Sequence, residues 1–505
     1  MSKIMSDKQI IKFMNMKKMV IKLKLLWVVV VVLVSCQTIN TKGPYFATGI
    51  KIGEVTQSGA IVWVRLTKNA TRVSSDAPMP TIKYKDPKSG ELIERKGRPD
   101  AIPVVNYPEG YTINTIQGAC PGSKGKARLK FKRADEQDWT QLDWQKVDPG
   151  RAFTSQFILS GLTAGKEYEI FVEASPMEST KVSSSIKGKF KTAPAIEVPV
   201  EVNFIVTTGT SYPDVDSDNG YKMYPNSLKL DPEFFVHTGD ILYYDRMGKT
   251  ADLARWHWDR MYSLPNNIEF HRQVASYFIK DDHDTWMNDC YPGMETNFMG
   301  DFTYEQGTKI FLDEVPMGER TYRTIRWGKD IQIWLVEGRD YRSPNPMEDG
   351  PEKTIWGKEQ LEWFKSTVEA SDATFKLLIS PTPIVGPDRP SKSDNHANDA
   401  FAYEGNIIRQ FISQQKNMYS VCGDRHWQYI SKHLDTGVME FSCGPASNAH
   451  AGGWKQDNKL PEHIYLNVVG GFLEAEVSRK TGEPKLIFKH YNPDGELLNE
   501  YVIKY

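Results

Sequence analysis

Three segments of this sequence place oxygen and imidazole side chains directly after an apolar run that is typical of a buried strand. They are 234–245 (FFVHTGDILYYD), 277–289 (YFIKDDHDTWMND) and 418–427 (MYSVCGDRHW). Ligand sites of open α/β sheets lie just beyond the carboxyl ends of such strands. The three segments therefore predict a metal centre at the strand ends of an α/β sheet.

Length and composition limit what this centre can belong to. The chain has 505 residues, more than a single core usually organises, so we expect two domains. Hydrophobic residues make up 40% and charged residues 25%, as in an ordinary soluble globular protein. The net charge of -1 gives no excess of positive charge for binding nucleic acid or an anionic membrane surface.

Residues 1–36 predict an export signal rather than part of the fold. Lysines precede the ten-residue apolar run LLWVVVVVLV, which is too short for a bilayer span of about 20 residues. The run leads into Leu33-Val34-Ser35-Cys36, which resembles the lipobox of bacterial lipoproteins. That resemblance implies that Cys36 becomes the lipidated first residue of a protein anchored to a bacterial membrane, in the periplasm or at the outer membrane or cell surface. An uncleaved or simply secreted signal is the alternative.

The pattern of apolar residues changes along the rest of the chain. From 44 to 195, short runs rich in β-branched residues are split by turns, which predicts an all-β sandwich of the immunoglobulin or fibronectin kind. A stretch rich in Lys, Gly and Pro between 76 and 148 indicates an insertion or an elaborated sandwich edge. From 200 to 505, strands alternate with helices such as 357–369, which predicts a layered α/β domain with mixed sheets flanked by helices.

Four cysteines lie beyond the export signal, at Cys120, Cys290, Cys422 and Cys443. They show no regular spacing, and a core of this size needs no disulfide to hold it. We expect Cys422 and Cys443 to be buried thiols.

The first and last donor segments each offer two metal ligands. Gly239 allows the backbone to turn after its strand, so that the Asp240 carboxylate points to the sheet edge, and Tyr243 offers a phenolate oxygen to the same ion. Asp424 and His426 occupy alternate positions of an extended stretch and therefore lie on one side of it. Helix capping is the alternative role for Asp240.

The middle segment is the most acidic. Asp281, Asp282, Asp284 and His283 fall within five positions, and so many like charges are unfavourable unless a cation or basic groups balance them. Asn288 adds an amide oxygen nearby. Either Asp281 or Asp282 can be the ligand, and a solvated acidic loop is the alternative.

Mixed carboxylate, imidazole and phenolate donors suit divalent or trivalent ions such as Ca, Fe, Mn or Zn, rather than a structural zinc site built from thiolates. Two such ions about 3.5–4 Å apart clamp a tetrahedral ester and activate a bound water as the nucleophile. This chemistry fits the hydrolysis of phosphate esters.

The order of a β-sandwich, GDxxY, DDHD, R-x-x-R and GDxH resembles the PhoD-like alkaline phosphatase D family, within the calcineurin-like metallophosphatases. The resemblance covers about 44–505 and implies a metallophosphatase catalytic domain over 200–505. It also implies a set of metal ligands, with Asp282 taken from the acidic pair. The set is Asp240, Tyr243, Asp282, Asn288, Asp424 and His426.

The same resemblance suggests residues that act on the substrate. Arg339 and Arg342 match a basic stretch after a strand, and a guanidinium can bind two phosphoryl oxygens and stabilise transition-state charge. We therefore predict Arg339 as catalytic, with a surface salt bridge as the alternative for either arginine. His283 is predicted to act as an acid group or to orient a metal ligand through a hydrogen bond. A purely structural hydrogen bond is the alternative. Further polar donors, unranked, are Asp394, His396 and Asp399.

One departure from the family lies after the first strand of the catalytic domain, where members usually carry a cysteine followed closely by an acid or amide. Here Gly209 or Thr210 stands at the cysteine position and Ser211 near the acid. Oxygen ligands from this loop are one substitute, and the candidates are Thr210, Ser211, Asp214, Asp216 and Asp218. Loss of one ion, or of activity, is the alternative.

The sequence thus predicts metal-dependent hydrolysis of a phosphomonoester or phosphodiester by a metal-bound hydroxide, outside the cytoplasm. The substrate is a small-molecule or polymeric ester, and the membrane is reached through the lipid anchor. One rival is hydrolysis of a sulfate ester of a polysaccharide. Another is a non-catalytic, glycan-binding surface lipoprotein with a degenerate phosphatase domain.

Overall fold

The computed structural model describes residues 43–94 and 97–504. The predicted export signal and Cys36 lie outside the described residues. In the part of the chain that is described, no helix combines the length and the apolar character needed to cross a membrane.

Among the described residues between 50 and 191, the regular elements are β-strands, apart from one 3-10 helix at Pro149–Arg151. At the start of Glu167–Ser175, buried Tyr168 and Ile170 alternate with exposed Glu167 and Glu169, because one face packs on the core and the other meets solvent. The strands are β1 (Ile50–Gly53), β2 (Gly59–Arg65), β3 (Thr81–Lys85), β4 (Leu92–Ile93), β5 (Ile102–Asn106), β6 (Lys126–Arg133), β7 (Thr140–Gln141), β8 (Gln145–Lys146), β9 (Thr154–Ser160), β10 (Glu167–Ser175) and β11 (Ser184–Lys191).

From residue 202 onward, strands and helices share the chain. The strands are β12 (Val202–Thr207), β13 (Phe234–His237), β14 (Ala275–Phe278), β15 (Arg323–Trp327), β16 (Ile331–Leu335), β17 (Phe375–Ser380), β18 (Met418–Cys422), β19 (Gln428–Lys432), β20 (Met439–Cys443), β21 (His463–Asn467), β22 (Phe472–Ser478), β23 (Lys485–Tyr491) and β24 (Leu497–Lys504). The helices are α1 (Met223–Leu228), α2 (Tyr244–Met247), α3 (Ala251–Tyr262), α4 (Pro265–His271), α5 (Asp282–Thr285), α6 (Tyr304–Glu314), α7 (Gly357–Glu369) and α8 (Ala402–Ser413). The predicted helix at 357–369 is confirmed.

Two large sheets carry the fold. The nine-stranded sheet has the order β24-β23-β22-β12-β13-β14-β1-β2-β9, and β12, β13 and β14 run parallel. The seven-stranded sheet has the order β15-β16-β17-β18-β20-β19-β21, with β16, β17, β18 and β20 parallel. Because parallel strands end at the same edge, the loops that follow them are brought together.

The two sheets pack face to face on a shared hydrophobic core. Phe441 of β20 stacks on Phe488 of β23 with ring centroids 3.7 Å apart, and Phe234 of β13 stacks on Trp327 of β15 at 4.8 Å. Helices α3, α4 and α6 cover the outer face of the nine-stranded sheet, and α7 and α8 cover that of the seven-stranded sheet. These layers confirm the predicted mixed sheets flanked by helices.

A β-sheet crosses the predicted division between 195 and 200. The all-β part has two packed layers. One is a five-stranded sheet of β11, β10, β6, β7 and β8, and the other is formed by β1, β2 and β9 of the nine-stranded sheet. However, β1 also pairs with β14, where Gly53 lies opposite Ser276, so one sheet runs through both parts. The described residues from Gly43 onward accordingly form one compact unit. An unpaired β14 edge would expose its backbone hydrogen-bonding groups, and β1 covers them.

The region predicted as an insertion, 76–148, is only partly peripheral. Its strand β6 belongs to the five-stranded sheet, whereas β4, β3 and β5 form a small separate sheet. The latter packs towards the helices through Tyr84, whose ring stacks on Phe298 at 5.5 Å. The four cysteines of the described chain are buried free thiols, as expected for Cys422 and Cys443.

Candidate metal centre

The polar side chains predicted from the sequence lie where the two sheets present the carboxyl ends of their parallel strands. This is the edge at which α/β sheets bind ligands. Both sheets contribute here, because the loop after β12 contacts the loop after β18. The Asp424 N–H donates to Thr208 Oγ1 at 3.2 Å, and this bond holds the two loops in register.

Asp240 lies at the point where two acidic loops come closest. Gly239 has a φ of 101°, and a Cβ at this position would lie 2.6 Å from the Cβ of Asp281. Only glycine fits such an approach without moving the neighbouring backbone. Asp240 itself has a φ of 55°, a left-handed conformation that side-chain-bearing residues adopt at a cost. The carboxylate is thereby fixed within reach of both Asp282 and Asp424.

A cluster of donor atoms surrounds the Tyr243 hydroxyl. The hydroxyl oxygen lies 3.2 Å from Asp240 Oδ2, 3.2 Å from His426 Nε2 and 2.6 Å from His450 Nε2. Burial, followed by the charges of Asp240 and Asp282, raises the pKa of Tyr243 well above its usual value. The phenol is therefore protonated at neutral pH unless a cation lies close to it.

The acidic segment after β14 begins helix α5. Asp281 caps the helix, and its N–H donates to Asp284 Oδ1 at 2.7 Å in a capping box. The two oxygens of Asp282 accept N–H groups of His283 at 2.8 Å and Asp289 at 2.6 Å. Each Asp282 oxygen retains a lone pair for a further partner.

Three overlapping sets of carboxylate and imidazole groups bring ligand atoms within 4.8 Å of one another. The sets are Asp240, Asp282 and His283; Asp240, Asp281 and Asp424; and Asp282, Asp289 and Asp394. Asp240 and Asp282 each belong to two sets. This sharing is what carboxylates that bridge neighbouring ions require.

Arg339, predicted to contact the substrate, lies beneath the acidic segment after β14. Its side chain is fully buried, and its Nε donates to Asp281 Oδ1 at 2.6 Å. Its Nη2 also lies 3.5 Å from Asp394 Oδ2. Burial opposes the positive charge, but Asp281, Asp282 and Asp394 raise the pKa of Arg339 well above its usual value. Arg339 therefore neutralises the acidic loop, and its salt bridge is buried, unlike the surface salt bridge that was the alternative to a catalytic role.

Two further cations compensate the acidic groups. Lys392 Nζ pairs with Asp289 and lies 3.5 Å from Asp394 Oδ2. Arg425, fully buried, contacts the neighbouring carboxylate of Asp424 and pairs with Asp388. Neither cation was predicted, because basic residues in loops show no pattern that indicates burial.

His283 lies beside the cluster. Its Nδ1 is 3.2 Å from Asp245 Oδ1, and its ring packs on Tyr243 with centroids 4.3 Å apart. Burial disfavours the protonated ring, but Asp245, Asp282 and Asp240 together raise the pKa of His283 to about 10. The contact with Asp245 fixes the ring orientation, which agrees with the alternative of a structural hydrogen bond.

The side chains present fit a metal centre. Asp240 Oδ1 is buried and has no hydrogen-bond partner among the described residues, which is costly unless a cation lies against it. Burial, followed by the charges of His450 and Arg425, holds the pKa of His426 well below its usual value. A neutral imidazole and buried carboxylates are the forms that bind metals.

The other predicted residues lie in different surroundings. Asn288 is half-buried beside Asp289. Asp394 is fully buried within the acidic sets, as a further donor should be. His396 instead pairs with Glu404 at 2.8 Å, and Asp399 is exposed at a helix start. Arg342 is buried, and its Nη2 donates to the Asp394 carbonyl at 2.9 Å.

The loop after β12 supplies a different group from those predicted. The Thr210 hydroxyl donates to the Ile241 carbonyl at 2.8 Å, and its role is structural. Asp214 Oδ2 lies 2.9 Å from Nδ1 of His450, a residue that the sequence did not indicate. Ser211 is buried, Asp216 accepts the Lys222 N–H at 2.9 Å, and Asp218 is exposed.

A cavity of about 530 Å³ adjoins the acidic sets through Lys392. Its polar lining includes Lys353, Arg389 and Asn398, together with the carboxylates of Asp349 and Asp399. The cavity offers room beside the acidic groups for a substrate larger than a phosphate group.

Comparison with known proteins gives a family and a fold. The family model of the PhoD-like phosphatases matches residues 204–469, slightly more than half of the chain. No curated protein sequence matches the chain.

Two solved structures are similar over most of the chain. A structure of PhoD has a TM-score of 0.68 and 16% sequence identity, over 93% of this chain and 90% of that one. The purple acid phosphatase PPD1 from yellow lupin (Lupinus luteus) seeds has a TM-score of 0.60 and 10% identity, over 90% of this chain and 74% of that one. Likeness at these identities shows a metallophosphatase-type fold.

We expect Arg339→Ala to lower the free energy of unfolding of the metal-free protein by about 3–5 kcal/mol, because Asp281 is left buried and uncompensated. The matched control is Arg272→Ala, since Arg272 is partly exposed and paired with Glu269. It should cost about 0–1 kcal/mol. Urea unfolding measures both. Equal stability of the two variants would contradict the neutralising role of Arg339.

Proposed function

The chain belongs to the family of PhoD-like phosphatases, and on that premise we propose that it hydrolyses a phosphomonoester or phosphodiester. The reaction would take place outside the cytoplasm and use bound metal ions. The main support for this proposal is that metal-donor side chains from separate loops converge on Asp240. Its carboxylate has a buried oxygen without a partner and lies among donors from the loops after β14 and β18. Phosphoester hydrolysis itself follows from the family.

The donor sets supply two neighbouring positions for ions. One position lies among Tyr243, His426 and Asp240. The other includes Asp240 and the carboxylates that group with it, Asp281 and Asp424 in one set and Asp282 in another, and the family resemblance adds Asn288. Bound Ca, Fe, Mn or Zn ions would polarise phosphoryl oxygens and lower the pKa of a coordinated water. The chain leaves the choice of metal open.

The remaining residues orient these groups and bind the ester. Arg339 and Arg425 hold the carboxylates in place by charge, and His283 supports Tyr243 by packing against its ring. Arg389 and Lys353 line the adjoining cavity, where they would attract the anionic remainder of a substrate. This cavity favours an ester with a second charged or polar moiety over a minimal phosphomonoester.

Hydrolysis of chromogenic esters tests the proposal. The mature protein should cleave a phosphomonoester or a phosphodiester faster than the matching sulfate ester, and a chelator should abolish the cleavage. Asp424→Ala should lower kcat/KM by more than about 100-fold. Removal of a residue that only hydrogen-bonds to a metal ligand already costs about 10–100-fold. Asp435→Ala is the matched control, because Asp435 is exposed in a turn away from the centre.

Two results would count against the proposal. Preferential cleavage of the sulfate ester would assign a sulfate-ester hydrolase acting on polysaccharide. Absence of turnover with any ester, together with no stoichiometric metal, would favour the non-catalytic glycan-binding lipoprotein.

Export and lipid anchoring complete the proposal. Their support is the sequence alone: lysines, a ten-residue apolar run and a lipobox-like end at Cys36. One acyl chain binds a membrane only marginally, and stable anchoring needs a second signal. The phosphatase would then act at a membrane surface of the periplasm or the cell exterior.

Replacement of the proposed anchor residue gives a direct test. In a bacterial host, the full chain should partition with the membrane fraction and incorporate labelled palmitate, whereas Cys36→Ala should do neither. Cys120→Ala is the control, since Cys120 is a buried thiol. Membrane partition and labelling that survive Cys36→Ala would contradict the anchor.

A further inference from the structure

The space beside Gly209, in the loop after β12, is filled by a histidine from the opposite sheet. A Cβ at Gly209 would lie 3.2 Å from His450 Cδ2 and 3.5 Å from His426 Cδ2. Gly209 also has a φ of 58°, which disfavours a side chain at this position. Both imidazoles therefore approach the backbone at Gly209 because the position has no side chain.

The loop that carries His450 is held firmly against Gly209. Thr208 and Pro445 form a parallel bridge, and the Ala446 N–H donates to the Gly209 carbonyl at 3.3 Å. Behind the loop, the Gly470 N–H donates to Asn448 Oδ1 at 3.0 Å. The side chain of His450 is only 9% exposed, so its position is defined by packing on both sides.

The ring of His450 is oriented by an acidic partner. Nδ1 lies 2.9 Å from Asp214 Oδ2, which makes it the protonated nitrogen, and Nε2 keeps its lone pair. Nε2 then lies 2.6 Å from the Tyr243 hydroxyl oxygen. In a metal-binding histidine, one ring nitrogen usually donates its hydrogen to a carboxylate, and the other nitrogen faces the remaining metal ligands.

Four of the six distances among these donor atoms lie within about 0.2 Å of the spacing expected of ligands around one ion. Tyr243 Oη lies 2.6 Å from His450 Nε2 and 3.2 Å from both His426 Nε2 and Asp240 Oδ2. His426 Nε2 lies 3.7 Å from Asp240 Oδ2. Ligands about 2.0–2.2 Å from an ion are separated by about 2.8–3.6 Å in octahedral or tetrahedral geometry.

We propose that His450 is a metal ligand, that Asp214 orients it, and that with Tyr243, His426 and Asp240 it forms a two-imidazole site in this chain. The inference rests on the metal-dependent hydrolysis proposed above. A neutral imidazole leaves the bound ion with less negative charge around it than a thiolate near Gly209 would. The site therefore favours a divalent ion such as Zn, Mn or Fe(II) over a trivalent one.

The test measures metal binding directly. We expect His450→Ala and His450→Gln to lower the affinity of the metal-free protein for Zn²⁺ at this site by at least 100-fold in calorimetric titration. Asp214→Asn should lower it by about 10–100-fold, the range for a group that orients a ligand. The matched control is His433→Ala, because His433 lies in a hairpin turn and contacts Thr436.

Cobalt gives a second measurement that a purely structural role would not change. The visible absorption of the Co²⁺-loaded protein should shift in position and intensity in His450→Ala and His450→Gln, and stay unchanged in His433→Ala. Circular dichroism and urea unfolding of the metal-free variants verify that each protein is folded. The glutamine variant keeps a polar group near Tyr243, which separates loss of a ligand from loss of a hydrogen bond.

The outcomes also separate this inference from the proposed function. Wild-type affinity and an unchanged Co²⁺ spectrum in both folded His450 variants would overturn the ligand role, even where the wild type hydrolyses phosphoesters. Absence of metal binding by the wild type would overturn both proposals. Metal binding that depends on His450, without turnover of any ester, would support the ligand and contradict the hydrolysis.

Discussion

Electrostatic repulsion among buried carboxylates is the constraint on which the centre depends. Six acidic side chains lie largely out of water at the ends of the two sheets: Asp240, Asp281, Asp282, Asp284, Asp394 and Asp424. Burying one unpaired charge costs several kcal/mol, so each carboxylate needs a cation, a proton or hydrogen bonds. Arg339, Lys392 and Arg425 balance part of this charge. Asp240 Oδ1 and Asp281 Oδ2 have no hydrogen-bond partner among the described residues, and bound metal ions would compensate them.

Holding these groups together requires a rigid frame, and the sheets provide it. Asp240 and Asp424 both adopt left-handed conformations, with φ of 55° and 58°, which only well-determined surroundings can impose. The loop after β17 is fixed from the other side, because the buried carboxylate of Glu440 accepts the N–H groups of Ile384, Val385 and Gly386. That loop brings Asp394 and Lys392 to the acidic sets.

Local sequence patterns predicted much of this arrangement. Strand ends at Asp240 and Asp424 were evident because an apolar run, a glycine and a carboxylate follow one another. The proximity of Asp240 to Asp282 and of Asp240 to Asp424 follows from strands that end at one edge. What the patterns missed depends on contacts between residues far apart in sequence. His450 is placed by a bridge between 208 and 445, and the burial of Arg339 depends on Asp281, 58 residues earlier. The pairing of β1 with β14 is non-local in the same sense.

Anomalous diffraction from crystals of the metal-loaded protein would test the central claim most directly. Two neighbouring anomalous peaks are expected about 3.5–4 Å apart, as in two-metal phosphatase sites, both within ligand distance of Asp240. One peak should lie about 2.0–2.2 Å from Tyr243 and the imidazoles, and the other towards Asp282 and Asp424. Peaks elsewhere on the molecule, or none near Asp240 in a protein that still hydrolyses phosphoesters, would contradict it.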